Sequence, residues 1–159
     1  MLAGCVASSS LGLLLSISPT TNETYTYHCF AFESTSTSKQ ISTSFVLSSD
    51  NADLYIEIDD VTLNSTSVNL ISNGDFETPN YINQWNVQSC GAMCDPGVDD
   101  LNPHQGNLSF YSSGPNVTLS QTVSLMPVGQ VSLYLFGFWL AYECGGNNNC
   151  SIQVFVHIQ

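Results

Sequence analysis

The sequence has almost no positive charge. A single lysine, Lys39, and no arginine stand against thirteen acidic residues, which gives a formal net charge of −12. Nucleic acid phosphates are bound through clustered Lys and Arg side chains, and anionic membrane surfaces attract the same groups. The composition therefore excludes nucleic acid as a partner and argues against attraction to an anionic membrane.

The chain also lacks long apolar runs and helical periodicity. No stretch reaches the roughly 18 apolar residues that a membrane span needs, so we expect no membrane span. No segment repeats its apolar residues at the spacing of a helix face. Only 9% of the residues are charged, so Ser, Thr and Asn must form the polar surface. We expect glycans or neighbouring subunits to cover such a surface.

Catalytic motifs are absent as well. The sequence contains no Gly-X-Ser-X-Gly, no His-Glu-X-X-His and no glycine-rich phosphate loop. Its histidines, His28, His104 and His157, are scattered along the chain. A glycosidase needs two converging carboxylates. With thirteen acidic residues some pairs of carboxylates must lie close together, so such a pair would not indicate a glycosidase. We therefore do not expect an enzyme.

The chain does contain a clear β pattern. Nine short segments are rich in strand-forming residues, and turn residues such as Pro, Gly and Asn separate them. This pattern predicts an all-β fold, a sandwich or jelly roll. In 133–142 both faces are apolar, so that strand is either covered twice or presents an exposed aromatic face. The segments are 11–17, 24–33, 40–47, 53–63, 68–77, 107–111, 117–125, 130–142 and 151–158.

Six cysteines indicate an oxidising compartment. An even count in an acidic chain with glycosylation sequons favours three disulfides and an extracellular protein, either secreted or part of a cell-surface appendage. A zinc site is the alternative, but the cysteine spacings are loose for zinc. We prefer local pairing, although the sequence does not fix the connectivity. The preferred pairs are Cys5–Cys29, Cys90–Cys94 and Cys144–Cys150.

Five Asn-X-Ser/Thr sequons support the same compartment and predict N-linked glycans. Asn149 is the least favoured site, because Cys150 occupies the middle of its sequon. Asn64 is expected to be the most accessible. The five candidates are Asn22, Asn64, Asn107, Asn116 and Asn149.

The β segments stand in an unusual order. Residues 54–63, Leu-Tyr-Ile-Glu-Ile-Asp-Asp-Val-Thr-Leu, resemble the last strand of a β-sandwich module. Residues 69–77, Asn-Leu-Ile-Ser-Asn-Gly-Asp-Phe-Glu, resemble the first strand of the same kind of module. A lone domain would carry these two segments in the opposite order.

Further segments extend this resemblance over almost the whole chain. Trp85, Leu-Ser-Gln-Thr-Val at 119–123, Phe-Trp-Leu-Ala at 138–141 and the strand 152–158 follow the apparent first strand. Read as 69–159 followed by 1–63, the chain resembles carbohydrate-binding modules of the family-four and family-nine type. Those modules share a galactose-binding-like jelly roll.

The resemblance implies a domain organisation. Residues 1–63 would be the carboxy-terminal part of one jelly roll, 64–68 a linker, and 69–159 the amino-terminal part of the next. An adjacent repeat or a separate subunit would supply the missing strands. Head-to-tail complementation does not close on itself, so it generates a filament. We therefore expect a structural subunit or repeat of an extracellular glycosylated fibre that assembles with itself. The alternative is a secreted lectin-like carbohydrate-binding module.

The same resemblance implies a structural calcium. Asp60 is in phase with Ile56 and Ile58, which should face the core, and a buried carboxylate needs a partner. Modules of the resembling type hold calcium between their first and last strands. A β-bulge that leaves the neighbouring aspartates solvated is the competing interpretation. The implied ligands are Glu77 and Asp60, with Asp75 or Asp59 assisting.

The lectin-like alternative needs aromatic rings for stacking, because pyranose faces pack on aromatic faces. Packing in the core or between subunits is the competing explanation for these rings. Trp85 and Trp139 match positions that are usually core in the resembling family. The stacking candidates are Tyr134, Phe136 and Tyr142, with Tyr81 and Tyr111 as further possibilities.

Overall fold

The structure confirms an all-β sandwich. The computed structural model describes residues 4–8, 12–19, 21–34, 40–49, 54–65, 68–78, 80, 83–88, 94–114, 116–124, 132–145 and 149–158. These residues form twelve strands in two sheets, and the sheets pack face to face. The described part of the chain contains no helix with the length and apolar character that crossing a bilayer demands.

The larger sheet contains seven of these strands. They are β1 (Val6–Ala7), β3 (Glu23–Ser34), β5 (Leu54–Ser65), β6 (Val68–Asn69), β8 (Asp95–Asp99), β9 (Ser109–Ser113) and β11 (Ser132–Cys144). Their order across the sheet is β1-β3-β11-β5-β9-β8, and β6 pairs with β5. The short β1 runs parallel to β3, and the remaining pairs are antiparallel.

The smaller sheet contains five antiparallel strands. They are β2 (Gly12–Ile17), β4 (Gln40–Ser49), β7 (Asn86–Gln88), β10 (Val117–Ser124) and β12 (Cys150–Ile158). Their order is β2-β12-β4-β10-β7. The short strands β1, β7 and β8 lie at sheet edges, and the sequence pattern did not predict them.

Strands from the two ends of the sequence alternate in both sheets. In the larger sheet β11 lies between β3 and β5, and in the smaller sheet β4 lies between β12 and β10. Both sheets therefore form within one chain. The predicted linker 64–68 begins inside the fold, because Asn64 and Ser65 end β5 and pair with Asn69 and Val68.

The core lies between the sheets and is rich in aromatic rings. Phe138 of β11 meets Phe45 of β4 edge to face, with 5.0 Å between the ring centroids. Trp85 is a core residue, as predicted, and stacks on Phe76 at 5.5 Å. Its indole N–H donates to the backbone oxygen of Asn73 at 3.0 Å, which satisfies the buried donor.

The segment 68–77 was predicted as a strand, but its strand ends at Asn69. The Asn69 side-chain oxygen accepts hydrogen bonds from the N–H groups of Leu63 and Ile71, at 3.0 and 3.1 Å, in competition with ladder pairing. The chain then turns, and the Val61 N–H donates to the Gly74 oxygen at 2.8 Å. A Cβ atom at Gly74 would overlap the Val61 carbonyl, so this approach requires glycine.

Two of the predicted disulfides are confirmed. Cys5 is bonded to Cys29 near β1 and β3, and Cys144 is bonded to Cys150 between β11 and β12. Cys94 is also disulfide-bonded. Its predicted partner, Cys90, lies outside the described residues.

Candidate functional site on the outer face of the larger sheet

Strand β11 is apolar on both faces, and the structure shows which face belongs to the core. Phe136 and Phe138 are fully buried between the sheets, and Tyr134 is only 3% exposed. Tyr134 and Phe136 are therefore core residues, and the prediction that they stack on sugar is wrong. Trp139 alternates with them and lies on the opposite face. The expectation that Trp139 is a core residue is therefore wrong. We call this opposite face of the larger sheet the outer face.

Residues 100–108, which we call the covering loop, lie over part of the outer face. The His104 ring stacks on Trp139, with 3.8 Å between the ring centroids and 18° between the planes. Tyr25 meets His104 edge to face at 5.4 Å. Strand β11 is therefore covered on both sides at this point, which is the first of the two alternatives that its sequence allowed.

A β-bulge decides which aspartate is buried. The register between β5 and β11 shifts between Gly137 and Trp139, and Asp60 has a positive φ of 49°. Val61 therefore takes the core position that the sequence pattern assigned to Asp60. Asp59 is fully buried instead, opposite Trp139 and under the covering loop.

Asp59 is satisfied by three backbone N–H groups. One carboxylate oxygen accepts from Asp60 at 2.7 Å, and the other accepts from His104 at 2.9 Å and Gln105 at 3.2 Å. Burial raises the pKa of Asp59 to about 6, and the three N–H donors oppose that rise. This carboxylate thus anchors the covering loop to the sheet.

Asp59 and Asp60 form a compact group with His104. Asp60 Oδ2 lies 2.9 Å from His104 Nδ1, and one ligand atom from each of the three residues lies within 4.8 Å of the others. The sequence pattern did not point to His104 as a site residue, because a lone histidine in a loop has no ligand spacing. Calcium takes six to eight oxygen ligands, whereas this group offers an imidazole and an Asp59 that already accepts three N–H groups. The group therefore does not match the donor set of calcium.

The other two predicted calcium ligands lie apart from this group. Glu77 accepts hydrogen bonds from the N–H groups of Asn107 at 2.6 Å and Leu108 at 2.9 Å. These bonds hold the pKa of Glu77 below its usual value. Asp75 is exposed and accepts from the Glu77 N–H at 3.4 Å. Glu77 is thus a second anchor of the covering loop.

Beside the covering loop, the outer face carries a cavity of about 280 Å³, which we call the groove. It lies where the start of β3 and the end of β11 meet β5. Three tyrosines, three glutamates and two asparagines border it. These residues are Asn22, Glu23, Tyr25, Tyr55, Glu57, Asn102, Tyr142 and Glu143.

Hydrogen bonds fix two of the groove carboxylates. Glu57 is 3% exposed, and its oxygens accept from Asn102 Nδ2 at 2.6 Å and the Tyr55 hydroxyl at 3.2 Å. Burial raises the pKa of Glu57. Glu143 accepts from Asn22 Nδ2 at 3.0 Å. The acceptors are therefore oriented before any ligand arrives.

The remaining aromatic candidates have different positions. Tyr142 is half-buried and borders the groove, but it pairs with Ile56 and packs against the core, so its ring lies on the inner face of the sheet. Tyr111 is half-buried and stacks on Tyr55 at 6.3 Å. Tyr81 lies outside the described residues. The sequence pattern did not point to Tyr25, Tyr55 or Glu57, because their convergence depends on strand register.

The sequons differ in exposure. Asn64 is half-buried in β5 and lines a second cavity of about 310 Å³ beside Tyr27. The expectation that Asn64 is the most accessible sequon is therefore wrong. Cys150, in the middle of the last sequon, is buried and bonded to Cys144. The exposed sequon residues are Asn22, Asn107, Asn116 and Asn149.

Comparisons with protein-family models, with curated proteins and with solved structures found no match for this chain. The resemblance to carbohydrate-binding modules therefore depends on the sequence segments alone. The function has to be inferred from the groove and its chemistry.

Proposed function

We propose that the chain is an extracellular β-sandwich module that binds a small carbohydrate in the groove. The observation that carries this proposal is the convergence of the Tyr25 and Tyr55 rings with oriented carboxylate and amide groups in one cavity. Apolar sugar faces pack on aromatic rings, and sugar hydroxyls need fixed hydrogen-bonding partners.

The groove size limits the ligand. Ligand pockets commonly have volumes of roughly 300–1,000 Å³, and the groove, at about 280 Å³, is near the lower end. A short oligosaccharide or the end of a longer chain suits this volume better than the middle of a thick polymer. The rigid sandwich beneath the groove supports binding without a large rearrangement.

An extracellular location is supported by the disulfides. Cys5–Cys29 and Cys144–Cys150 are bonded, and such bonds persist in oxidising compartments. Four exposed sequon asparagines offer sites for N-linked glycans that would supply the hydrated surface missing from a chain with 9% charged residues. One of them, Asn22, lies at the groove, so a glycan there would compete with a ligand.

A glycan array followed by calorimetry tests the proposal. We expect a limited set of small glycans to bind, and Tyr55→Ala to weaken binding about tenfold through the lost ring contact. Tyr27→Ala is the matched control, because Tyr27 is 48% exposed on β3 and does not line the groove. If no glycan binds, or if both variants weaken binding equally, the groove is not a carbohydrate site.

The predicted fibre is a second candidate, and the strand order favours it. Strands β3, β4 and β5 pair with β11, β12, β10 and β9, so both sheets join the two ends of the sequence. Exchange of the segment before residue 66 between copies would keep these strand pairs and link the copies head to tail.

Electron microscopy and mass measurement separate the two candidates. A binding module predicts small particles whose protein mass is near 17.2 kDa in solution. Fibre formation predicts long regular filaments. On denaturation, filaments of separate subunits should give the same protein mass plus glycans, whereas covalently linked repeats should give a much larger mass. Small particles at all concentrations would rule out exchange into filaments.

A further inference from the structure

We propose that the groove selects a sugar that carries a protonated amine, such as a glucosamine unit without its acetyl group. This inference rests on the proposed carbohydrate-binding function and concerns the same site. It follows from the charge of the groove, the spacing of its carboxylates and the tyrosine rings beside them.

The groove has an excess of negative charge. Glu23, Glu57 and Glu143 all line it. The whole chain contains one lysine and no arginine, so the chain cannot pair each of these carboxylates with a basic side chain. Among the described residues, the ion pair that forms is His104 with Asp60, under the covering loop. A cationic ligand would supply the missing counter-charge.

The spacing of these carboxylates favours an organic cation over a metal ion. In the part of the chain that the structure describes, the group with metal-ligand spacing is Asp59, Asp60 and His104, and it contains none of the three groove glutamates. Among the described residues, these three glutamates therefore do not place one oxygen each within 4.8 Å of the others. A ligand with an ammonium group on a wider ring can approach one carboxylate and direct its hydroxyls to the others.

The aromatic wall favours the same ligand. Tyr25 and Tyr55 line the groove on the outer face, and a cation over a tyrosine face is attracted by the ring quadrupole. The sugar ring supplies apolar C–H faces for the same tyrosines. An amino sugar thus interacts with both the carboxylates and the tyrosine rings, whereas a neutral sugar leaves the carboxylates without a counter-charge.

Calorimetry with four ligands tests the inference: the tetramers of glucosamine, N-acetylglucosamine and glucose, and the polyamine spermidine. At a pH where the amine is protonated, we expect the glucosamine tetramer to bind about tenfold more tightly than either neutral tetramer, through a charge-assisted hydrogen bond. Equal binding of the three tetramers would overturn the inference and leave the proposed function standing. Absence of binding by all three would overturn both. Spermidine binding as tightly as the amino sugar would also overturn the inference, since it would show attraction to any cation.

Charge-removing variants locate the effect. Glu143→Gln and Glu57→Gln should each reduce the preference for the glucosamine tetramer over the two neutral tetramers. Glu143 is exposed, so its variant should fold even if the one at buried Glu57 does not. Glu33→Gln is the matched control, because Glu33 is an exposed acid of β3 that does not line the groove. An equal loss of preference in Glu33→Gln would mean that net charge alone acts, which would overturn the inference.

Discussion

Changing Asp59 to Asn should flatten the pH dependence of stability. Asp59 is fully buried under the covering loop, and burial raises its pKa from 3.8 to about 6. Above that pH, Asp59 is ionised in both states. Burial makes the charge unfavourable in the folded protein, whereas water solvates it in the unfolded chain. Below about pH 4 both states are protonated. The free energy of unfolding should therefore rise as the pH falls from about 7 to 4.

The magnitude follows from the difference between the two pKa values. The rise is roughly 2 units, and one unit corresponds to about 1.36 kcal/mol, so the full effect is about 3 kcal/mol. Water on the exposed side of the covering loop reduces this value, so we expect about 1–3 kcal/mol. The Asn variant has the same shape and does not ionise, so it lacks this contribution.

Urea denaturation at about pH 7, 5.5 and 4 measures the effect. The quantity to compare is the difference in unfolding free energy between the natural chain and Asp59→Asn. Glu57, with its raised pKa, and Glu77, with its lowered pKa, are present in both proteins and act in opposite directions. Asp100→Asn, an exposed change in the same loop, is the control. A difference that stays constant with pH would refute the argument that burial controls this carboxylate.

Three further changes test other parts of the structure. Phe138→Ala should lower the unfolding free energy in urea by about 3–5 kcal/mol, because the ring fills the space between the sheets; a loss below about 1 kcal/mol would contradict that packing. Gly106→Ala should cost about 1–3 kcal/mol in the same assay, since Gly106 has a φ of 70° and its new Cβ would overlap the Glu77 carboxylate; unchanged stability would contradict the anchoring of the loop by Glu77. A chelator should leave the Tm unchanged, because N–H groups already satisfy Asp59; a clear fall in Tm would support the calcium interpretation.

Much of the fold could be predicted from side-chain alternation. In β12, Ile152, Val154 and Val156 alternate with Gln153, Phe155 and His157, and the three aliphatic residues are buried. Strand β11 was harder, since both of its faces are apolar. Its inner face packs against the smaller sheet, and its outer face is covered by the loop at residues 100–108. No local sequence pattern predicts that this loop contacts β11.

The candidate site was less predictable because it depends on register. One positive φ at Asp60 buries Asp59 in place of its neighbour, and local sequence does not reveal such a bulge. The groove combines residues from β3, β5, β11 and the covering loop. Tyr142 was selected for its aromatic ring but packs against the core, whereas Glu57 and Tyr55 meet Ala141 and Glu143 on the outer face only because β5 pairs with β11.

The central position of β4 has a consequence for synthesis. Leu47 of β4 pairs with Val117, and Ile41 pairs with Ile158, so both neighbours of this strand are translated long after it. Contacts so distant in sequence form slowly. A nascent chain therefore carries β4 as an unpaired hydrophobic segment until the ribosome has made β10, and β4 lacks its second neighbour until β12 is made. The yield of folded protein in a cell should depend on chaperone supply as much as on the stability of the finished domain.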